Sequence, residues 1–242
     1  MPTQRTAVKR HPERGSYDRA TIDAIVDEAL ICHVGFLVDE QPYVIPTIHA
    51  RDGDMLYLHG SPGSRMLRNL AQGVDVCVTV TLLDGLVLAR SVYHHSMNYR
   101  SVLVLGRARE VTDREEKLRA MRTVVEHVLP GRWDDARQPN EAELKGTTIL
   151  AISLQEASAK IRTGPPKDIE EDLALPVWAG VIPLELVPSV PIPDKGIEVP
   201  PPAYANAYER STLGKTRAGS SCSGRDSPAR VHHERHIPGG VS

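Results

Sequence analysis

The chain has 242 residues, a formal net charge of -2 and 40% apolar residues, enough for one sizeable packed domain with extras. The small, mixed charge argues against a dominant electrostatic attraction to nucleic acid or anionic membranes. Three widely spaced cysteines (Cys32, Cys77, Cys222) make neither a disulfide framework nor a zinc ribbon. No window approaches the roughly 18 apolar residues of a membrane span, and the basic start lacks a secretory apolar run, so a reducing cytoplasm is expected.

From Asp18 to Leu30, Ile22, Ile25, Val26, Ala29 and Leu30 recur at helical spacing, with Asp18 as N-cap. Cys32 to Val38 alternates as a strand. Asp39-Glu40-Gln41-Pro42 reads as a turn, Tyr43 to Ala50 as a second strand, and Met55 to His59 as a third after the turn at Arg51–Asp54. Ser64 caps a short helix carrying Met66, Leu67 and Leu70. Val74 to Leu83 reads as a strand, Asp84-Gly85 as a hairpin turn, and Leu86 to Val92 as the return. Tyr99 to Glu110 is a long strand. Thr112 and Glu115 form a capping box for a helix that ends near Pro130-Gly131, and Thr147 to Leu154 closes the set, with Ala159 to Arg162 as its continuation.

About six strands with local hairpins predict a mainly β fold, an antiparallel barrel with peripheral helices, since closure removes exposed edges. The expected organisation is an N-terminal arm (1–16), a barrel domain (17–164) and a proline-rich extended arm (165–210) packing on the barrel or a partner subunit. Residues 211–242 are rich in Ser, Gly, Arg and His and read as a disordered tail.

The run Tyr57-Leu58-His59-Gly60-Ser61-Pro62-Gly63-Ser64-Arg65 takes a strand through a Gly-containing loop into a helix start. Unpaired backbone N–H groups, the Ser61 and Ser64 hydroxyls and the Arg65 fork together suit a phosphate. It is neither a Walker A loop nor a Rossmann fingerprint. Spacing alone leaves open a Gly/Pro loop with a surface arginine.

Residues 10 to 166 resemble the pyridoxamine 5'-phosphate oxidase-like superfamily, in its Nim-type branch linked to 5-nitroimidazole resistance. The matching pieces are Pro42-Tyr43-Val44-Ile45-Pro46, Gly53 to Gly60, Gly63-Ser64-Arg65, Asn98 to Val102, Gly106-Arg107-Ala108 and Ala159-Lys160-Ile161-Arg162. The resemblance implies an FMN-binding split barrel, a homodimer with FMN in a groove between subunits. It implies that Pro46, Thr47, Ile48 and His49 line the flavin ring, largely through backbone, and that His59, Gly60 and Ser61 approach the flavin or its ribityl chain. Ser64 and Arg65 would hold the phosphate, and Tyr99, Arg100 and Ser101 would come from the facing part of the groove. Relatives often carry Lys where Arg65 stands, a mild departure. His59 is the expected catalytic residue, donating a hydrogen bond or proton.

The function expected is a flavin-dependent oxidoreductase acting on a small electrophilic or nitro-type substrate. The alternative is a non-catalytic flavin or haem carrier. His94 and His95, just after the strand ending at Val92, are candidate ligands, but adjacent histidines on a strand point to opposite faces, so a loop turn or polar surface is expected rather than two ligands of one metal. Cys32 and Cys77 read as core residues, and His232, His233 and His236 as part of the tail.

Overall fold

A computed structural model describes residues 3–210. The tail from residue 211, with Cys222 and its three histidines, lies outside the described residues. Helix α1 (Arg19–Glu28) begins where expected: the Asp18 carboxylate accepts from Thr21 N at 2.9 Å, and Ile22, Ile25 and Val26 are buried. It leads into β2 (Ile31–Val38), a neighbour in the sheets of the earlier two-residue β1 (Gly15–Ser16) only through other strands. Asp39 and Glu40 both adopt left-handed φ (49° and 64°) and form a tight two-residue turn from β2 into β3 (Gln41–Asp52). Then come β4 (Met55–Gly60), α2 (Arg65–Ala71), β5 (Asp75–Leu88) and β6 (Ser96–Glu110). Helix α3 (Arg114–Val128) and two short helices, α4 (Arg132–Asp135) and α5 (Glu141–Lys145), precede β7 (Thr148–Ser153) and β8 (Ala157–Arg162). The arm contributes β9 (Gly180–Pro183) and α6 (Ala203–Asn206).

The fold is mainly β, as expected. Antiparallel pairing runs β6–β7–β4–β3–β2–β5 and returns from β5 to β6, a closed ring of six strands. β8 lies on β6, β1 on β8, and β9 on β5. β3 holds the ring together by pairing with β2 over its first part and with β4 from His49 onward. Ile25, Leu56, Leu58, Leu67, Leu150 and Ile152 fill the interior. Each such side chain contributes about 1.5–3 kcal/mol by leaving water.

Three local expectations are corrected. Asp84-Gly85 is not a hairpin turn: β5 runs straight through it, with a bulge between the Leu83–Tyr99 and Gly85–Asn98 pairs. The reason is tertiary. Without a side chain at Gly85, β9 can lie against the strand, since a Cβ there would sit 3.0 Å from the Ile182 carbonyl oxygen. The extra residue aims the Asp84 carboxylate at Arg100. The β5–β6 connection is instead the segment 89–95, with a short 3-10 turn at Val92–His94. The cap of α3 is Asp113, which accepts from Glu116 N at 2.8 Å, and not Thr112. The reciprocal capping box occurs at Asn140 and Glu143. Ala157–Arg162 does not prolong β7 but crosses to the other neighbour of β6.

The arm leaves the barrel through a clamp. Buried Arg162 donates to Asn98 Oδ1 and, at 3.3 and 3.2 Å, to the Gly164 and Pro165 carbonyls. Farther on, Asp168 accepts from Arg90 N (2.8 Å) and from its guanidinium (2.9 Å). At the far end, Arg210 donates to the carbonyls of Asp27 and Glu28 and closes the C-terminus of α1. No described helix is long and apolar enough to cross a membrane.

Candidate functional site

β4 delivers its last residues, His59 and Gly60, to the rim, where they pair with Ile149 and Thr148 of β7. The chain then turns tightly. Ser64 N donates to Ser61 O at 2.9 Å, Ser61 Oγ accepts from Gly63 N at 3.2 Å, and Ser64 Oγ accepts from Leu67 N at 3.4 Å. Gly60 packs onto α2: a Cβ there would be 3.1 Å from Leu67 Cδ1. Seven-residue α2 buries Met66, Leu67 and Leu70, which leaves Arg65 on its outer side.

The Arg65 guanidinium carbon lies 4.6 Å above the centre of the Tyr43 ring, and that ring stacks on Phe36 at 5.7 Å. No carboxylate lies within ion-pair distance of Arg65 among the described residues. Tyr43 is the residue that sequence reasoning passed over, because nothing in strand periodicity shows that an arginine 22 positions later will stack on it. His59 is half-buried. Burial lowers its pKa, and its shielded Nδ1 has no protein partner.

The remaining expected residues divide between the two faces of the sheet. Cross-strand partners share a face. Pro46 is opposite His33, Ile48 opposite Ile31, Ser101 opposite Thr81, and Tyr99 opposite Leu83. These lie on the outer face, as does half-buried Cys77, which unlike fully buried Cys32 is not a core residue. Thr47 is opposite buried Cys32 and points inward.

Two side chains turn away from the outer face. His49 is fully buried. Its Nε2 donates to Val26 O at 3.0 Å, its ring centre is 5.1 Å from that of His127, and burial pushes its pKa down to about 4. Arg100 is engaged by Glu28 (2.5 and 2.8 Å) and by Asp84 (2.9 and 2.7 Å). Its charge is neutralised within the chain, and those hydrogen bonds raise its pKa further. Any contact of His49 with a ligand is therefore left to its backbone, and Arg100 serves the interior.

A cavity of about 870 Å³ does not coincide with the Ser61–Arg65 loop. It lies between the Thr81–Asp84 stretch of β5 and the returning arm, walled by Asp84, Arg100, Leu184, Leu186, Tyr208 and Arg210. The loop itself lies at the open surface of the single chain: Ser61, Gly63 and Arg65 are exposed. Chemically, the loop offers a cation and two hydroxyls for an anion, with an imidazole at the adjoining strand end.

The family described as pyridoxamine 5'-phosphate oxidase matches residues 18–161. The flavocytochrome Anf3 of Azotobacter vinelandii is 43% identical, over 84% of this chain and 96% of the other, with a TM-score of 0.80. A FAD and haem binding protein of Mycobacterium smegmatis is 33% identical, over 79% and 95%, with a TM-score of 0.76. A candidate 5-nitroimidazole antibiotic resistance protein of Bacteroides thetaiotaomicron shares the fold at 24% identity, over 61% and 86%, with a TM-score of 0.50. No curated protein matches. The first two similarities cover more of the chain than residues 1–164 can supply, so they extend beyond the barrel; the third fits within the barrel's length.

Proposed function

The chain belongs to the pyridoxamine 5'-phosphate oxidase family, and from that premise we propose that it binds FMN, with the phosphate at Ser61, Ser64 and Arg65. One observation carries the reading. Arg65 is an exposed guanidinium, laid on the Tyr43 ring, with no carboxylate partner among the described residues. Beside two hydroxyls, such a group is ready to take a phosphate in bidentate fashion. Pro46 and Ile48 offer the apolar edge for the ring. A bound flavin supplies hydride and electron transfer. The chain holds it, and His59, with its lowered pKa, stands neutral at pH 7 with a shielded nitrogen able to hold a hydrogen bond. The activity we propose is reduction of a small electrophilic or nitro-type compound, in a reducing cytoplasm consistent with unpaired Cys32 and Cys77.

Flavin fluorescence titration of the full-length protein tests this reading, with FMN and FAD as separate arms because the two share the ring and the proximal phosphate. Arg65→Ala is expected to weaken binding by about 2 to 3 kcal/mol, the loss typical of a charge-assisted pair left unmade. A wild-type protein that quenches neither flavin sinks the proposal. Unchanged affinity in the variant moves the phosphate elsewhere.

The outer face of β2 and β3 supports a second copy as partner. Ile31, Leu37, Val44 and Ile48 stand exposed there, Val44 at 67%. Several large apolar side chains exposed on one sheet face mark an interaction surface. Tyr99 and Ser101 share this face and are proposed to complete the flavin site across a homodimer interface.

A second reading adds haem. It is favoured by one observation: two relatives whose similarity extends beyond the barrel are a flavocytochrome and a FAD and haem binding protein. Haem iron needs an axial ligand such as imidazole, with apolar surface for the macrocycle. Buried His49 and half-buried His127 commit Nε2 to the Val26 and Ala29 carbonyls. The fit therefore depends on histidines outside the core, of which the chain has several.

A further inference from the structure

We infer that His95 is the residue of this chain that ligates a haem iron, an assignment resting on the haem reading above. His95 is exposed on the segment joining β5 to β6, and its Nδ1 lies 3.0 Å from the Ser91 carbonyl oxygen. A carbonyl only accepts, so Nδ1 carries the proton and the lone pair of the neutral ring sits on Nε2. Metal-binding histidines are oriented in this way, one nitrogen fixed on a backbone carbonyl and the other presented to the metal.

The platform beneath the ring is built and anchored. Ser91 O also accepts from His94 N at 3.1 Å, and Ser91 Oγ accepts from Tyr93 N at 3.3 Å. The preceding residue, Arg90, is held at both its backbone and its guanidinium by Asp168, whose side chain is 2% exposed. Gly180 of β9 pairs with Leu88, which brings the arm to the same end of the hairpin. It is thus the arm, the part of the chain beyond the barrel, that fixes this segment.

The surroundings suit a planar apolar group. Val92 and Tyr93, in the same segment as His95, are 89% and 87% exposed, and Met97, two residues beyond it, is exposed as well. Large apolar side chains left in water so close in the chain to an oriented imidazole are costly unless something covers them. The other described histidines are less suited. His11 contacts Glu13, His94 sets its ring against Tyr93, His59 belongs to the proposed flavin site, and His33 lies on the face proposed for a second copy.

Titration of the full-length protein with hemin, followed at the Soret band, tests the assignment. Wild type is expected to give a saturable Soret complex. His95→Ala should lose it or bind about tenfold or more weakly, and added imidazole should restore the Soret position. His94→Ala and the flavin affinity of every variant should match wild type, which also reports that the variants fold. A His95→Ala protein with wild-type Soret position and affinity overturns the assignment while leaving haem binding in place. Loss of the band in His94→Ala alone does the same. A wild-type protein that takes up no hemin overturns both.

Discussion

The residues that matter here differ in how their charge is treated. Arg100 and Arg65 are the same side chain in opposite circumstances: one is enclosed by Glu28 and Asp84, the other rests on an aromatic face without a carboxylate. Only the second can exchange water for a ligand phosphate without first breaking an internal pair. His49 carries a different consequence. Burial holds its folded pKa at about 4, below the ordinary value of 6.5, so the folded state resists a proton that the unfolded state accepts. The contribution of His49 to stability is therefore constant above pH 6.5, falls as pH drops from there toward 4, and is lost in full below that. The full loss is on the order of 3 kcal/mol. His127, also lowered by burial, acts in the same direction. Urea denaturation across this range checks the point. His49→Gln keeps a donor for the Val26 carbonyl but does not titrate, and should flatten the acid slope. Parallel slopes in the two proteins would show that His49 is not the source.

At the scale of elements, β5 is the member that connects everything. It closes the ring with β6, carries β9, places Asp84 through its bulge, and ends at the segment that bears His95. Gly85 is the residue that permits this. A methyl group there meets the Ile182 carbonyl oxygen at 3.0 Å and Val181 Cγ1 at 3.1 Å, and the backbone oxygen cannot rotate away. Gly85→Ala should cost about 1–3 kcal/mol, as overpacking does, and should loosen β9 from the barrel. A lower melting temperature with faster proteolysis between residues 165 and 184 is the expected result. Cleavage at the wild-type rate would mean that the arm does not depend on this contact.

At the scale of the molecule, the barrel buries one face of its sheet and leaves an apolar outer face. The proposed homodimer covers that face and completes the flavin site. Sedimentation velocity should find wild type as a dimer, and Val44→Glu, which sets a charge in the middle of the face, as a monomer that still melts cooperatively. A wild type that stays monomeric at every concentration removes the dimer and with it the two-chain site.

Much of this was legible in the one-dimensional pattern. Helical spacing marked Ile22, Ile25 and Val26, two-residue alternation marked β2, and side-chain chemistry marked Asp18 and Ser64 as caps, because each depends on neighbours within a few residues. The anion-friendly character of Ser61–Arg65 was equally local. What depends on distant partners was not visible. Asp84-Gly85 has the composition of a turn and becomes a bulge because β9, about 100 residues later, lies against it. Arg100 looks like a ligand contact until Glu28, 72 positions earlier, claims it. The stacking of Arg65 on Tyr43 and the anchoring of the His95 segment by Asp168 belong to the same class. Local sequence determined which elements form and where they start; the tertiary structure alone decided which polar groups are left unpaired for a ligand, since that depends on contacts between residues far apart in the chain.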